Sequence, residues 1–217
     1  LSGIIDDYTG NIISTYKNRE IGYIFQRPEE AFIFETVKEE LAFGIRKYNY
    51  RVDEIDKRME EALKMVGLPK FYLDRNPFTL SSGEKEALAL ATILILNPKV
   101  IIIDDPSISL DNYRCDHLIK LLKKLCNRYK KTIIIFSSNT QFLVRVTDNY
   151  VLLKNGKIVL SGNRRNLSDN IGKFKNANVC IPRITEFISN ANKKYNANLE
   201  YTFDIKELMK DIYRNVK

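Results

Sequence analysis

The sequence has little of what membrane spans, disulfide frameworks and metal clusters require. No run of residues approaches the ~18 consecutive apolar positions that a membrane-spanning helix needs. The chain has 3 cysteines, an odd number without paired metal-ligand spacing, which indicates a reducing compartment. Its 1 histidine, His117, lies in a stretch that predicts the exposed start of a helix. Any association with a membrane is therefore expected to come through partner proteins.

Basic residues outnumber acidic ones by 35 to 27, for a formal net charge of +8. Such a charge would suit nucleic acid if the lysines and arginines were clustered. They are instead spread over helical faces such as 120–125, where apolar positions recur at helical spacing and the charges form a solvated face. We therefore expect no nucleic-acid partner. With 44% hydrophobic residues among 217, the chain predicts one α/β domain more readily than two.

Strand-like and helix-like segments alternate along the chain, which predicts a parallel sheet with crossover helices. The predicted strands lie near Ile4 and at 21–25, 100–104 and 132–136, and an antiparallel pair at 150–153 and 157–160 turns at Asn155-Gly156. The predicted helices cover 37–46, 52–66, 82–96 and 112–130. Beyond 172, two helical patterns at 182–194 and 204–216 predict a C-terminal extension, whose role in docking, regulation or dimerisation is left open.

The most informative motif is a small-residue turn at Leu80–Glu84, followed after one helix-length by an apolar strand ending at Asp104-Asp105. A turn that opens a helix offers N–H groups to phosphate, because the first turn has unpaired donors and the positive end of the dipole. A strand that ends in paired carboxylates suits a Mg²⁺ ligand beside a base that polarises water. Each piece alone is common in ordinary turns and buried strands. Their order and spacing indicate a nucleotide site.

These residues resemble the ATP-binding cassette (ABC) ATPases. Leu80–Glu84 is similar to the LSGGQ signature of that family, Asp104 to its Walker B aspartate and 107–111 to its D-loop. The resemblance continues at 21–29, which is similar to the strand and Q-loop, and at the hairpin 148–162. It implies a P-loop NTPase-type α/β fold with a mostly parallel sheet.

The resemblance also implies a division into domains and a subfamily. An ABC ATPase domain at 1–171 would contain a helical subdomain at about 30–97, and the extension would occupy 172–217. Within the superfamily, the pattern Phe-Gln-x-Pro-Glu from Phe25 and the tail 179–186 look most like the energy-coupling factor ATPases. Those ATPases drive the uptake of vitamins and metal ions.

Cofactors and residue roles follow from the same resemblance. Two cassettes of this family sandwich ATP with Mg²⁺, and each site joins one subunit's phosphate loop, Walker B and Q-loop to the other's signature. Asp104 and Gln26 would serve as metal ligands, Gln26 would sense the γ-phosphate, and Asp105 would polarise the attacking water. The whole nucleotide-binding set would be Gln26, Ser81, Ser82, Gly83, Glu84 and Asp111.

Several departures from the family pattern predict slow hydrolysis. The predicted catalytic pair is Asp105 and Ser138. Asp105 stands where the family usually has a glutamate, so its carboxylate is one methylene shorter. Ser138 replaces the switch histidine and cannot carry positive charge toward a γ-phosphate. Ser82 and Glu84 replace a glycine and a glutamine of the signature, and the added bulk and negative charge should weaken phosphate binding.

A phosphate loop of the form G-x-x-x-x-G-K-[ST] does not occur in this sequence, and the stretch before Gln26 is too short for the strand, loop and helix that should precede it. A shortened sequence and a natural loss would both explain this. Deleting the central strand of a parallel sheet leaves an unpaired edge and bare apolar faces. We therefore expect a shortened sequence, and we expect the chain as given to be inactive alone.

The function that the resemblance implies is that of an ATP-hydrolysing subunit that energises a membrane transporter. Such a subunit would be peripheral on the cytoplasmic side of the cell membrane. Its partners would be a second ABC ATPase subunit and a transmembrane coupling subunit. Two alternatives remain open: a degenerate, non-hydrolysing cassette that completes a partner's ATP site, and a soluble ABC protein of DNA repair or translation. The transported substrate is not readable, because the cassette never touches it.

Overall fold

The computed structural model describes residues 9–17, 20–47, 52–106 and 111–215. The contacts between residues divide the chain into two compact units, one up to Phe136 and the other from Ser137 onward. The strand predicted near Ile4 and most of the predicted D-loop, 107–110, lie outside the described residues.

A three-stranded parallel sheet organises the first unit. Its strands are β1 (Ile21–Ile24), β2 (Val100–Asp104) and β3 (Thr132–Phe136), in the order β1-β2-β3. The first four residues of β2 are buried, as expected of an apolar run between two parallel neighbours. The register places Ile24 beside Ile103 and Asp104 beside Phe136. The carboxyl ends of the three strands therefore meet at one edge of the sheet.

Four helices accompany this sheet: α1 (Val37–Lys47), α2 (Val52–Val66), α3 (Ser82–Leu94) and α4 (Asn112–Asn127). The first three pack on one another, and α3 also packs on β1. Their apolar faces supply most of the fully buried side chains of the unit, among them Leu41, Ile45, Met59, Leu63, Leu88, Leu122 and Leu125.

Two of these helices end earlier than the sequence predicts. The α3 helix ends at Leu94 rather than at 96, and α4 ends at Asn127 rather than at 130. Asn97 and Lys130 have φ angles of 53° and 54°. An L-residue in this left-handed region cannot continue a right-handed helix, so each marks the return of the chain toward the next strand.

The second unit combines a hairpin with four helices. Its elements are α5 (Thr140–Val146), β4 (Asn149–Lys154), β5 (Lys157–Asn163), α6 (Ile171–Asn176), α7 (Arg183–Tyr195) and α8 (Ile205–Asn215). Asn155 and Gly156 join the strands with φ angles of 49° and 72°, which a two-residue hairpin turn requires. The sequence analysis did not predict α5 and α6, which span only 7 and 6 residues.

Two apolar clusters hold the second unit together. One contains Val144, Leu152, Leu167, Phe174 and Ile181, so α5, the hairpin and α6 share a core. The other joins α7 to α8 through Ile188, Leu199 and Leu208. The predicted domain limit at 171/172 falls within the first cluster and stays a prediction. Among the described residues, no helix is both long enough and apolar enough to cross a bilayer.

Candidate nucleotide site

The carboxyl end of β2 presents Asp104, the predicted Mg²⁺ ligand. Its Oδ2 atom accepts a hydrogen bond from Tyr23 Oη at 3.3 Å. Tyr23 lies in β1 in register with Ile102, so strand pairing brings the phenol beside the carboxylate. Burial, followed by the charge of Asp104 and this hydrogen bond, raises the pKa of Tyr23. The phenol therefore stays neutral and acts as a hydrogen-bond donor to Asp104.

The donor chemistry at this edge of the sheet fits Mg²⁺. This ion prefers oxygen ligands and usually binds through one or two carboxylates and substrate phosphates rather than through a protein cage. Asp104 supplies one such carboxylate. Gln26 is exposed and lies just beyond β1, so strand pairing places it at the same edge. Within the described part of the chain, no cluster of three or more metal-ligating side chains occurs.

Asp105, the predicted water-polarising residue, follows β2 in an unusual backbone conformation. Its φ angle is 42°, in the left-handed region that aspartate tolerates better than most residues. Its N–H donates to the carbonyl oxygen of Phe136 at 2.8 Å, which ties it to the end of β3. The residue is therefore fixed at the sheet edge where the predicted metal ligands lie.

Glu86, in the second turn of α3, lies near enough to Asp105 for their charges to interact. Its Oε1 atom is buried and has no hydrogen-bond partner among the described residues. Burial, and secondly the charge of Asp105, raises the pKa of Glu86 to about 8. The carboxyl is therefore mostly protonated at neutral pH, because ionising it would place a second negative charge beside Asp105 in a poorly solvated position.

Ser138 lies in the second unit, between β3 and α5. Its carbonyl oxygen accepts the Thr140 N–H at 3.0 Å. The next residue, Asn139, caps α5 and accepts the Phe142 N–H at 3.0 Å through Oδ1. The sequence between β3 and α5 thus forms a capped helix start, and the proposed role of Ser138 in hydrolysis stays a prediction.

The predicted signature forms the beginning of α3. Ser81 is the N-cap residue and makes a capping box with Glu84. Glu84 Oε2 accepts from Ser81 N at 2.9 Å and from Ser81 Oγ at 2.8 Å, and Glu84 Oε1 accepts from Tyr72 Oη at 2.7 Å. The hydrogen bond from Tyr72 comes first among the causes that lower the pKa of Glu84, followed by those from Ser81. The helix start therefore holds an ionised carboxylate.

A guanidinium group from α4 covers the same turn. Arg114 Nη1 lies 3.3 Å from Ser81 Oγ. A Cβ atom added to Gly83 would lie 2.2 Å from Nη1 and 2.6 Å from Cδ of Arg114, so the arginine occupies the space that a side chain at 83 would need. Asp111 caps α4 by accepting the Arg114 N–H at 2.8 Å. Ser82 is exposed.

A pocket of about 260 Å³ opens beside this turn, among the ends of α2, α3 and α4. Its polar lining includes Tyr72, Glu84, Glu86, Arg114 and His117. The pocket gives solvent access to the edge of the guanidinium group. His117 is exposed, as the sequence predicts.

The structure brings the predicted residues together in two places. Asp104, Asp105 and Gln26 lie at the sheet edge, and the signature residues lie at the beginning of α3. Sequence reasoning missed the four side chains that support them: Tyr23, Tyr72, Glu86 and Arg114. None of the four gives a distinct signal in the sequence; Glu86, for example, ends the charged stretch 84–86 just before an apolar run.

Comparisons with known proteins agree with this geometry. A family model described as ABC transporter matches residues 1–108. The energy-coupling factor transporter ATP-binding protein EcfA of Methanocaldococcus jannaschii is 33% identical over 199 residues, which cover 92% of this chain and 71% of the relative. The corresponding protein EcfA2 of Clostridium acetobutylicum is 31% identical over 197 residues, which cover 90% of this chain and 69% of the relative.

Solved structures give the same result. The protein cbiO1 of Clostridium perfringens, part of the ABC transporter complex cbiONQ, matches with a TM-score of 0.69 and 28% identity over 86% of this chain and 79% of its own. A dimeric ATP-binding cassette in a post-hydrolysis state with ADP and Pi matches with a TM-score of 0.60 and 29% identity, over 68% of this chain and 65% of its own.

These findings confirm the predicted α/β cassette fold and the predicted ATPase family. The match to relatives extends over most of the chain, well beyond the signature and the Walker B strand. The chain belongs to the ABC transporter ATPases, in the group of energy-coupling factor transporter ATP-binding proteins.

Proposed function

We propose that this protein is the ATP-hydrolysing subunit of an energy-coupling factor transporter that takes up vitamins or metal ions. It binds ATP with Mg²⁺, pairs with a second cassette and is held at the cytoplasmic side of the membrane by a transmembrane coupling subunit. The relatives named as energy-coupling factor ATP-binding proteins support this proposal. The similarity to a component of a transporter complex and to a dimeric cassette supports the partners.

The observation that carries the proposal is that the first unit presents two half-sites of different chemistry. One is the sheet edge with the carboxylates of Asp104 and Asp105. The other is the beginning of α3, a helix start of the kind that suits an anion, where Ser81 now donates to Glu84. In a head-to-tail pair of cassettes, the sheet edge would serve the nucleotide of its own subunit. The helix start would then face the nucleotide of the partner.

In this proposal, three side chains at the sheet edge have distinct roles. Tyr23 holds Asp104 in place by donating to Oδ2, which leaves the carboxylate charge available to the cation. Bound Mg²⁺ would neutralise the phosphate oxygens and stabilise the charge that develops during transfer. Asp105, fixed by its bond to Phe136, would orient the attacking water. Because its carboxylate is short, turnover is expected to be slow.

A specific observation favours a second candidate, a cassette that completes its partner's site without hydrolysing ATP itself. The N–H and the hydroxyl of Ser81 both donate to Glu84, so the helix start must rearrange before it can donate to a phosphate. In this case the paired cassettes would hydrolyse ATP at one site only. Turnover per pair, measured with Asp105→Asn on this subunit and then with the partner's phosphate loop inactivated, distinguishes the two candidates.

The proposal is tested with Ser81→Arg, introduced only on this subunit of a purified pair. A bulky cation at the helix start should block closure of the pair, so ATP-dependent association and turnover should both fall at least about tenfold. Initial ATP binding to the partner's phosphate loop should survive, because that binding precedes closure. The matched control is Ser161→Arg, the same change at an exposed position in β5. Normal association and turnover of Ser81→Arg would show that Leu80–Glu84 is an ordinary helix cap.

A further inference from the structure

The signature turn of this chain contains a negative charge where an anion is expected to bind. Glu84 accepts hydrogen bonds from three neutral donors among the described residues, namely Ser81 N, Ser81 Oγ and Tyr72 Oη. Neutral donors hold the carboxylate in position without cancelling its charge. Left alone, Glu84 would repel a phosphate approaching the beginning of α3.

Arg114 lies where it can cancel this charge. Its guanidinium group contacts Ser81 Oγ at 3.3 Å and crosses the backbone at Gly83, which has no side chain to exclude it. The side chain of Arg114 is 38% exposed, so the group reaches the surface of the turn rather than being sealed beneath it. Hydrogen bonds from Tyr72 and Ser81 are the main causes that lower the pKa of Glu84, and the charge of Arg114 lowers it further. The two charges therefore interact.

The local electrostatics explain why an arginine needs such a partner here. Arg114 lies in the first turn of α4, and its guanidinium group lies over the beginning of α3. Both helix ends carry the positive end of the dipole, which disfavours a cation. Asp111 offsets part of this cost, with Oδ2 at 3.8 Å from Arg114 Nε. The charges of Glu84 and Arg114 also interact, so each lowers the electrostatic cost of placing the other at this turn.

We propose that Arg114 is a positioning residue that makes the carboxylate-bearing signature competent to accept the terminal phosphate of the nucleotide held by the partner cassette. Its positive charge offsets the negative charge of Glu84, and its guanidinium group holds the Ser81 hydroxyl at the beginning of α3. A second cation, Arg75, lies 4.4 Å from the centre of the Tyr72 ring. It helps to hold in place the tyrosine that donates to Glu84. This inference rests on the proposed function, because it names how the proposed partner-facing site tolerates its own acidic residue.

The first test uses the isolated chain and inorganic triphosphate as the probe. Binding is followed through the backbone amide signals of Ser81 and Gly83. Arg114→Met should weaken binding about tenfold at low salt, because it leaves a net negative charge at the turn. Adding Glu84→Gln to Arg114→Met restores the net charge and should return the affinity to within about threefold of the wild type. Arg114→Lys keeps the charge and should have a small effect.

Salt dependence separates a charge effect from a change of shape. Repulsion by an uncompensated Glu84 is screened by ions, so the defect of Arg114→Met should shrink as salt rises from about 0.05 to 0.5 M. A packing defect would persist at both salt concentrations. The matched control is Lys120→Met, which removes one positive charge from an exposed position on the same helix and should leave binding at the turn unchanged.

The second test measures ATP-dependent association of the cassette pair with the same variants. The proposal predicts that ATP-dependent association is weakened by Arg114→Met and recovers when Glu84→Gln is added. It is wrong if Arg114→Met binds triphosphate like the wild type, or if Glu84→Gln fails to rescue it. The inference alone is overturned if the wild-type pair associates normally but the variants do not show the expected loss and recovery of triphosphate binding. A wild-type pair that never associates, with the triphosphate pattern intact, overturns the proposed function and leaves the charge role of Arg114 standing.

Discussion

Replacing Glu86 by glutamine should stabilise the protein at alkaline pH and leave its stability unchanged in acid. The buried carboxyl of Glu86 lacks a partner for Oε1, and burial and Asp105 raise its pKa to about 8 from an ordinary value of 4.5. Glutamine has the same shape and stays neutral. The substitution therefore mimics the protonated side chain at every pH.

The pH dependence follows from the pH at which the Glu86 carboxyl loses its proton in the folded and in the unfolded chain. The unfolded chain releases it near pH 4.5, whereas the folded chain keeps it up to about pH 8. Between these values the folded state binds more protons, so the free energy of unfolding falls as pH rises, by up to about 1.4 kcal/mol per pH unit. Over the whole interval the loss is at most about 4–5 kcal/mol. Structural relaxation around the ionised group will reduce it.

The assay is thermal unfolding of wild type and Glu86→Gln at pH 5 and pH 9. A gain of about 2–4 kcal/mol at pH 9 corresponds to a rise in Tm of about 5–12 °C for a chain of this size, against about 2–3 °C at pH 5. Glu61→Gln, an exposed position on α2, controls for the loss of one negative charge. If Glu86→Gln shifts Tm equally at both pH values, the carboxyl is not held protonated by burial and the reasoning is refuted.

Three further predictions concern the nucleotide site. The isolated chain of 217 residues contains no phosphate loop, so it should bind Mg-ATP no better than about millimolar, and a micromolar affinity in calorimetry would contradict this. Asp105→Glu combined with Ser138→His should speed hydrolysis in a cassette pair by about tenfold or more; unchanged turnover would mean that these positions do not limit it. Tyr23→Phe removes the hydrogen bond to Asp104 and should lower the free energy of unfolding by about 0.5–1.5 kcal/mol, whereas denaturation curves that coincide with wild type would show that the bond contributes nothing.

The sequence predicts the main elements of the fold because their patterns are strong and local. The apolar runs of β2 and β3, the Asn155-Gly156 turn and the small-residue start of α3 each specify their own geometry. The short helices α5 and α6 escaped prediction for the opposite reason. Six or seven residues contain too few turns for a periodic pattern, and such helices form because they pack against the hairpin.

The contacts around the site escaped prediction because they depend on tertiary packing. The bond from Tyr23 to Asp104 requires the pairing of β1 with β2, two segments separated by 81 positions. The contact from Arg114 to Ser81 spans 33 positions and requires α4 to begin beside α3. The resemblance gives one reason for Gly83, which is its predicted place in the nucleotide-binding set. The structure adds a second reason, which is that Arg114 occupies the space above it.

The left-handed backbone at Asp105 has a consequence for how this position can change. Most L-residues lose about 1–2 kcal/mol in that region, and aspartate is among the few that are enriched there. A glutamate at 105 would bring its carboxylate nearer to the attacking water but would fit the φ angle of 42° less well. A faster enzyme would then be a less stable one. Stability and turnover therefore favour different residues at 105. A change of Asp105 to glutamate requires compensating stability elsewhere in the chain.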